Sequence, residues 1–166
     1  MRATTSWGLI ATAVLTIAGA HAARAQGTDA GKLEARATAA LADGCRIATA
    51  ASLYQQAALG RSTDDPRSIE DFRLAGLLYA GSGQPERAAA AMERAGEQAL
   101  STGRLDAAVD AFTNAALIQM GRAPDRAAML AHRALWLAQG EGVSEGARAV
   151  ARARLGTAVA AAVRHI

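Results

Sequence analysis

Few residues of this 166-residue chain are of types that do chemistry, and their spacing does not bring them together. His132 has no Cys, His or Glu three or four residues away that would complete a metal site on one helix. His165 is the penultimate residue, where we expect it to be exposed. Ser82 stands between two glycines but lacks the G-x-S-x-G pattern of a nucleophile placed after a strand, so it is interpreted as part of a helix-to-helix turn. The sequence therefore predicts no enzyme, no cofactor and no metal.

The single cysteine, Cys45, cannot form a disulfide within the chain. It is interpreted as a small buried residue, with pairing between chains as the alternative. Asp64 and Asp65 are interpreted as a helix cap and not as a metal site. Arg148, Arg152 and Arg154 are interpreted as a solvated helix face, although three arginines are also compatible with an anion site.

The charge pattern does not predict a nucleic-acid partner. The formal net charge is +3, and it falls to about +1 once Arg2 and Arg24 are left out. The remaining arginines are interspersed with acids and do not form a basic patch.

The N-terminal 25 residues have the layout of a secretory signal peptide. Arg2 precedes an uncharged apolar stretch from Gly8 to Ala20, which is shorter than the roughly 20 residues that span a bilayer. Small residues in the A-x-A arrangement follow twice, ending at Ala22 and at Ala25. We expect residues 1–25 to be removed after Ala25, and the product to be periplasmic or secreted without stable membrane insertion.

The rest of the chain is predicted to be all-α. It is rich in Ala, Leu, Glu, Gln and Arg, and its glycine- and proline-containing turn signals separate segments of helical periodicity. Residues 26–31 are predicted to be a disordered start, and residues 32–164 to form one helical domain. Its seven predicted helices are Lys32–Ala42, Cys45–Leu59, Pro66–Ala80, Pro85–Ser101, Arg104–Met120, Asp125–Gln139 and Ser144–Arg164. Short connections make successive helices antiparallel, as hairpins in either a bundle or a solenoid.

Three of these segments carry specific expectations. Pro66–Ala80 has two apolar stripes, so it is predicted to be covered on both faces, with Asp64 or Asp65 as its cap. In Arg104–Met120 the apolar residues fall on one stripe, and Thr113 falls on the opposite, solvent-facing side. Trp136 is predicted to lie beside the inward face of Asp125–Gln139.

From Phe72 to Ala95 the chain resembles the tetratricopeptide repeat family, whose motif pairs two helices through small residues. Phe72, Ala75, Gly76 and Tyr79 match the first helix of that motif, and Gly83 matches its turn. The trio on the second helix is matched by Ala88, Met92 and Ala95, and it recurs as Ala108, Phe112 and Ala115.

The resemblance implies stacked hairpins in a tetratricopeptide-like solenoid or short right-handed superhelix, whose concave surface binds a peptide or a partner protein. In that register Glu70, Arg73 and Leu77 would face the groove. The expected function is non-catalytic binding of an unknown protein or peptide in the cell envelope. The alternative is a structural Ala-rich bundle that assembles with copies of itself, and a homo-oligomer is compatible with either.

Overall fold

The computed structural model of the chain describes residues 29–44 and 46–163. The regular secondary structure in these ranges consists of helices joined by short turns, which confirms the all-α prediction. The helices are α1 (Asp29–Ala42), α2 (Ile47–Leu59), α3 (Pro66–Gly81), α4 (Pro85–Ser101), α5 (Leu105–Gln119), α6 (Pro124–Ala138) and α7 (Glu145–Val163). Residues 1–28, and with them the expected signal peptide, lie outside the described residues, as does Cys45.

The first helix begins earlier than the sequence predicts. Asp29, Ala30 and Gly31 belong to α1, although the sequence assigned them to a disordered start. Ala30 is buried at 5% exposure, and Asp29 places an acid in the first turn, where the helix dipole favours it. The sequence did not predict this helical turn because polar composition alone does not reveal the tertiary contacts that bury it.

The helices group into two compact units, one ending at Gln84 and the other beginning at Pro85. In the first unit α1 packs against α2, and α2 packs against α3. In the second unit α4 packs against α5, α5 packs against α6, and α7 covers both α5 and α6. The core of each unit is built mainly from alanines with zero or near-zero exposure, around a few large side chains. Those are Tyr54, Leu74 and Tyr79 in the first unit, and Met92, Phe112 and Leu155 in the second.

Local sequence accounts for where the helices begin and end. Asp65 caps α3, because its side chain accepts a hydrogen bond of 2.9 Å from the backbone N–H of Arg67, with Pro66 at the first helical position. At its other end the backbone N–H of Gln84 donates to the carbonyl of Tyr79 at 2.8 Å. That closing bond requires Gly83 between them at φ +74°, a left-handed conformation that favours glycine. The expectation that Gly83 is a turn glycine is confirmed.

The second unit contains two helical hairpins, α4–α5 and α6–α7, which lie side by side and run in the same direction. Glu86, Glu93 and Glu97 on α4 pair with Arg122, Arg126 and Arg133, in that order along the chain. Since both sets run in the same direction, α6 is parallel to α4. The partners are separated by 36, 33 and 36 residues. Asp106 at the start of α5 likewise reaches Ser144, next to the start of α7.

Candidate functional site

Apart from the exposed turn residue Gly83, the residues of the repeat signature are buried, but they divide between the two units. Phe72, Ala75, Gly76 and Tyr79 lie in the core of the first unit, with Phe72 and Tyr79 exposed by only 5% and 2%. Ala88, Met92 and Ala95 lie in the core of the second unit at zero exposure, as do Ala108, Phe112 and Ala115. These side chains stabilise helix packing and are inaccessible to a ligand. In both units the buried signature residues are packing residues.

The groove residues expected from the resemblance share one half-buried face of α3. Glu70, Arg73 and Leu77 are three and four residues apart, and none of them is fully exposed. The guanidinium of Arg73 donates two hydrogen bonds of 2.9 Å to the carboxylate of Glu70. Arg73 and Glu70 are therefore paired with each other, and a ligand that binds either charge has to break that pair.

A row of ion pairs joins α4 and α6 on the surface of the second unit, and we call it the Glu–Arg ladder. Glu86 pairs with Arg122 at 3.0 Å, Glu93 with Arg126 at 2.7 Å, and Glu97 with Arg133 at 2.5 Å. The guanidinium of Arg133 also lies 4.2 Å from the centre of the Phe112 ring. Exposed ion pairs add little stability because water and salt screen them, so the ladder fixes orientation more than it adds stability.

An apolar groove opens at one end of the second unit, and we call it the Trp136 groove. It has a volume of about 440 Å³ and is lined by Leu100, Leu105, Trp136, Leu137, Gln139 and Gly140. The lining comes from the end of α4, the start of α5 and the end of α6. The turn that brings α4 and α5 together there is closed by Gly103 at φ +70°, with the N–H of Arg104 donating to the carbonyl of Ala99 at 2.8 Å.

Trp136 is the most exposed large apolar side chain in the described part of the chain, at 66%. Met129 lies two turns earlier on the same face of α6 and is 59% exposed. The sequence placed Trp136 on a face next to the inward one, and the structure places its side chain in solvent, with its neighbour Leu137 buried at 8% exposure.

The first unit contains a buried charge cluster that sequence reasoning missed, and we call it the Arg61 cluster. Its members are Glu34, Arg61, Asp65 and Asp71, and the side chains of Glu34, Arg61 and Asp71 are 1%, 2% and 0% exposed. Arg61 Nε donates to Asp71 Oδ2 at 2.9 Å and Nη1 donates to Asp65 Oδ2 at 3.3 Å, while Nη2 forms an ion pair with Glu34 Oε1. One guanidinium is thus shared by three carboxylates from α1, the α2–α3 loop and α3.

Two pKa shifts reflect this cluster. Burial would raise the pKa of Asp65, but the hydrogen bonds from Arg67 and the charges of Arg67 and Arg61 outweigh it and hold that pKa below its usual value. Burial raises the pKa of Tyr54; the hydroxyl of Thr38 partly opposes this and the charge of Asp71 adds to it. Tyr54 is therefore a neutral hydrogen-bonding group, and its hydroxyl oxygen lies 3.1 Å from that of Thr38.

One weak signal for this cluster is present in the sequence: the acids Asp64, Asp65 and Asp71 follow Arg61 within ten residues. Glu34 stands 27 positions earlier on another helix, so nothing local links it to Arg61. Thr113 was also misplaced: it is 1% exposed, because α7 covers the side of α5 that the sequence assigned to solvent.

Within residues 29–44 and 46–163, no group of three or more His, Cys, Asp or Glu side chains is placed to hold a metal ion. Within the same residues no helix has the length and hydropathy needed to cross a membrane. His132 is exposed on α6 and lies outside the lining of the Trp136 groove.

No protein-family model, no curated protein and no solved structure matches this chain. The resemblance to tetratricopeptide repeats therefore rests on the residues named above and on the helical geometry.

Proposed function

We propose that this chain is an exported, non-catalytic helical-repeat protein that binds a partner protein or peptide through the Trp136 groove. The observation that carries the proposal is a tryptophan that is 66% exposed at the edge of an apolar groove. Leaving an indole ring in water forgoes the largest hydrophobic gain that any side chain offers. Exposed apolar clusters of this kind are typical of interaction surfaces, and tryptophan is enriched among the residues that dominate binding energy.

The shape of the groove favours an apolar side chain as the group bound. Its volume of about 440 Å³ accommodates a leucine, methionine or phenylalanine side chain with some backbone around it. Gln139 places a polar side chain at its edge, suited to orienting a peptide by hydrogen bonds. The lining offers no acid, base or nucleophile, which supports binding in preference to catalysis.

The geometry of the second unit supports the tetratricopeptide-like interpretation. Two hairpins, α4–α5 and α6–α7, lie in parallel register, and the ladder partners are 33 to 36 residues apart. That separation is close to the family's repeat of about 34 residues. Export is proposed from the signal-peptide layout of residues 1–25 alone.

Removal of Trp136 tests the groove. A tagged processed chain and its Trp136→Ala variant would be used to capture partners from a cell-envelope extract, with identification by mass spectrometry. We expect loss of a central tryptophan to cost about 2 kcal/mol or more, which is roughly a thirtyfold drop in affinity. The matched control is Leu59→Ala, because Leu59 is 64% exposed but lies in the first unit.

Two further outcomes decide between the alternatives. If Arg73→Glu abolishes recovery while Trp136→Ala does not, the partner binds the α3 face at Glu70, Arg73 and Leu77, and the Trp136 groove is wrong as the site. Light scattering at two concentrations tests self-assembly, because a chain that stays monomeric at both has no copy of itself as its partner.

A further inference from the structure

A pocket at the turn between α1 and α2 is bordered by charged side chains, and we call it the Asp43 pocket. It has a volume of about 250 Å³. Part of its lining is buried and apolar, from Ala40 and Leu53 at 7% and 8% exposure. The polar part of the lining is exposed and consists of Arg36, Asp43, Arg46 and Thr49. Apolar walls with a few polar groups around them are the usual composition of a site for a small molecule.

The charged groups of the pocket do not neutralise each other. Among the described residues, no ion pair or hydrogen bond engages the side chain of Arg36, Asp43 or Arg46. Arg36 and Asp43 are seven residues apart, which is about 10 Å along a helix axis and exceeds the spacing of a helical ion pair. Gly44, in the left-handed conformation at φ +68°, turns the chain between Asp43 and Arg46. The opposite charges therefore border one pocket without contacting each other, and a ligand that carries both signs of charge can bridge them.

Two of these charges stand at helix ends where they oppose the helix dipole. Asp43 directly follows α1, whose C-terminal end is partially negative, and Arg46 directly precedes α2, whose N-terminal end is partially positive. Arg46 also makes no side-chain cap for α2. Residues that work against local stability are expected where a function requires them. Here they give the pocket a negative side at Asp43 and a positive side at Arg46, and the adjacent helix end reinforces each of them.

We propose that the Asp43 pocket binds a free acidic amino acid, with its ammonium group at Asp43 and its two carboxylates at Arg36 and Arg46. The pocket presents two positive charges and one negative charge, and such a ligand carries the complementary set. The volume of about 250 Å³ is just below the roughly 300–1,000 Å³ of pockets for drug-sized ligands, so it suits a smaller molecule.

Two further features of the pocket favour this ligand. The hydroxyl of Thr49 and the N-terminal end of α2 attract the carboxylate at Arg46, and the buried apolar lining packs against the methylene groups between the charges. The site belongs to the first unit, so the proposal stands independently of the Trp136 groove in the second.

Titration of the full chain with three small molecules that differ by one charged group tests the proposal. The probes are L-glutamate, glutarate, which lacks the ammonium group, and L-glutamine, which lacks the second carboxylate. Binding is followed at constant ionic strength by NMR, through the backbone amide shifts of α1 and α2, with those of α4 as an internal control. We expect glutamate to bind most tightly, and the loss of either charge to weaken binding about two- to fivefold, the range for one exposed ion pair.

Substitutions of the exposed charges identify the groups that bind the ligand. Asp43→Asn should remove the preference for glutamate over glutarate, and Arg36→Gln and Arg46→Gln should each weaken glutamate binding about two- to fivefold. The matched control is Arg94→Gln, which changes an exposed arginine of α4 that has no ion pair among the described residues and should leave the affinity unchanged. Circular dichroism verifies that each variant is folded. Saturable shifts that are absent from α1 and α2, binding of glutarate or glutamine as tight as that of glutamate, or an Asp43→Asn chain that keeps its preference would overturn the proposal.

Discussion

At the scale of single residues, Gly96 marks a close approach between two helices of the second unit. A β-carbon built there would stand 2.8–3.0 Å from three ring atoms of Phe112, on the facing helix α5. Phe112 is fully buried, so its ring has no free space to move into. Glycine at this position permits the close packing of α4 and α5 on which the second unit depends.

We predict that Gly96→Ala destabilises the protein although alanine is the better helix former. The helix propensity gain is at most about 1 kcal/mol, whereas overpacking against a buried ring costs about 1–3 kcal/mol. Urea unfolding should show a net loss of about 1–2 kcal/mol. The matched control is Gly156→Ala on α7, where nothing lies within 4 Å and we expect a gain of about 0.5–1 kcal/mol. A gain at both positions would contradict the close approach at Gly96.

Sequence reasoning identified residues whose role is local and missed those whose role is long-range. The cap at Asp65 and the turn at Gly83 follow from neighbours in the chain, and both were predicted. The Arg61 cluster joins residues up to 37 positions apart, from Glu34 to Asp71, and no periodicity connects them. Gly96 likewise has no local sequence signal, because its role depends on the Phe112 ring of another helix.

At the scale of helices, Asp106 connects the start of α5 to the start of α7. Its Oδ1 accepts a hydrogen bond of 2.8 Å from the backbone N–H of Ser144, just before α7 begins at Glu145. The hydrogen bonds from the backbone and side chain of Ser144, followed by the charge of Arg148, lower the pKa of Asp106. The ionised carboxylate is therefore the form that holds α7 in place.

We predict that Asp106→Asn destabilises the second unit at neutral pH and has no effect in strong acid. Because the folded-state pKa is lowered, the carboxylate contributes stability above the unfolded value of about 3.9, and that contribution is lost as pH falls through the folded value. Asp106 is exposed, so we expect a loss below about 1 kcal/mol at pH 7.

Thermal unfolding of the wild type and the variant between pH 7 and pH 2 measures this gap. Asp125→Asn, an exposed acid in the first turn of α6, is the control; amide hydrogen exchange should show the protection of α7 reduced by Asp106→Asn and unchanged by Asp125→Asn. A gap for Asp106→Asn that persists undiminished at pH 2 would contradict the role of the charge.

The number and positions of the helices were predictable because residues near the ends of each helix mark where it begins and ends. Pro85 and Pro124 stand at the starts of α4 and α6, and the predicted and observed bounds of α4 coincide. Which face of each helix is buried was less predictable, as Thr113 and Trp136 show. Which side of an alanine-rich helix is covered depends on the helices packed around it, and alanine on every face leaves the apolar stripe poorly defined.

At the scale of the whole molecule, alanine determines how each unit packs. Small side chains let helices approach closely and leave few large residues to fill each core, so single large side chains become important. Tyr54, Tyr79 and Phe112 are buried completely or nearly so, whereas the tryptophan of comparable size at position 136 is left outside. Among the described residues Trp136 is the largest of the exposed apolar side chains, and it lines the apolar groove at the end of α6. That combination is the reason for proposing the Trp136 groove as the binding site.

The proposed export predicts the N-terminus of the processed chain. We expect the secreted product to begin at Gln26, as determined by N-terminal sequencing and intact mass, because signal peptidase requires small residues at the positions filled by Ala23 and Ala25. Ala25→Leu should block processing at that bond, whereas Ala22→Leu should leave it unchanged. A product that begins at Ala23 would show that the earlier A-x-A site is used.

Either product lacks Trp7, so Trp136 becomes the only tryptophan and its fluorescence reports on the groove alone. Its emission should be that of a solvated indole in the free protein and shift to shorter wavelength when a partner covers it.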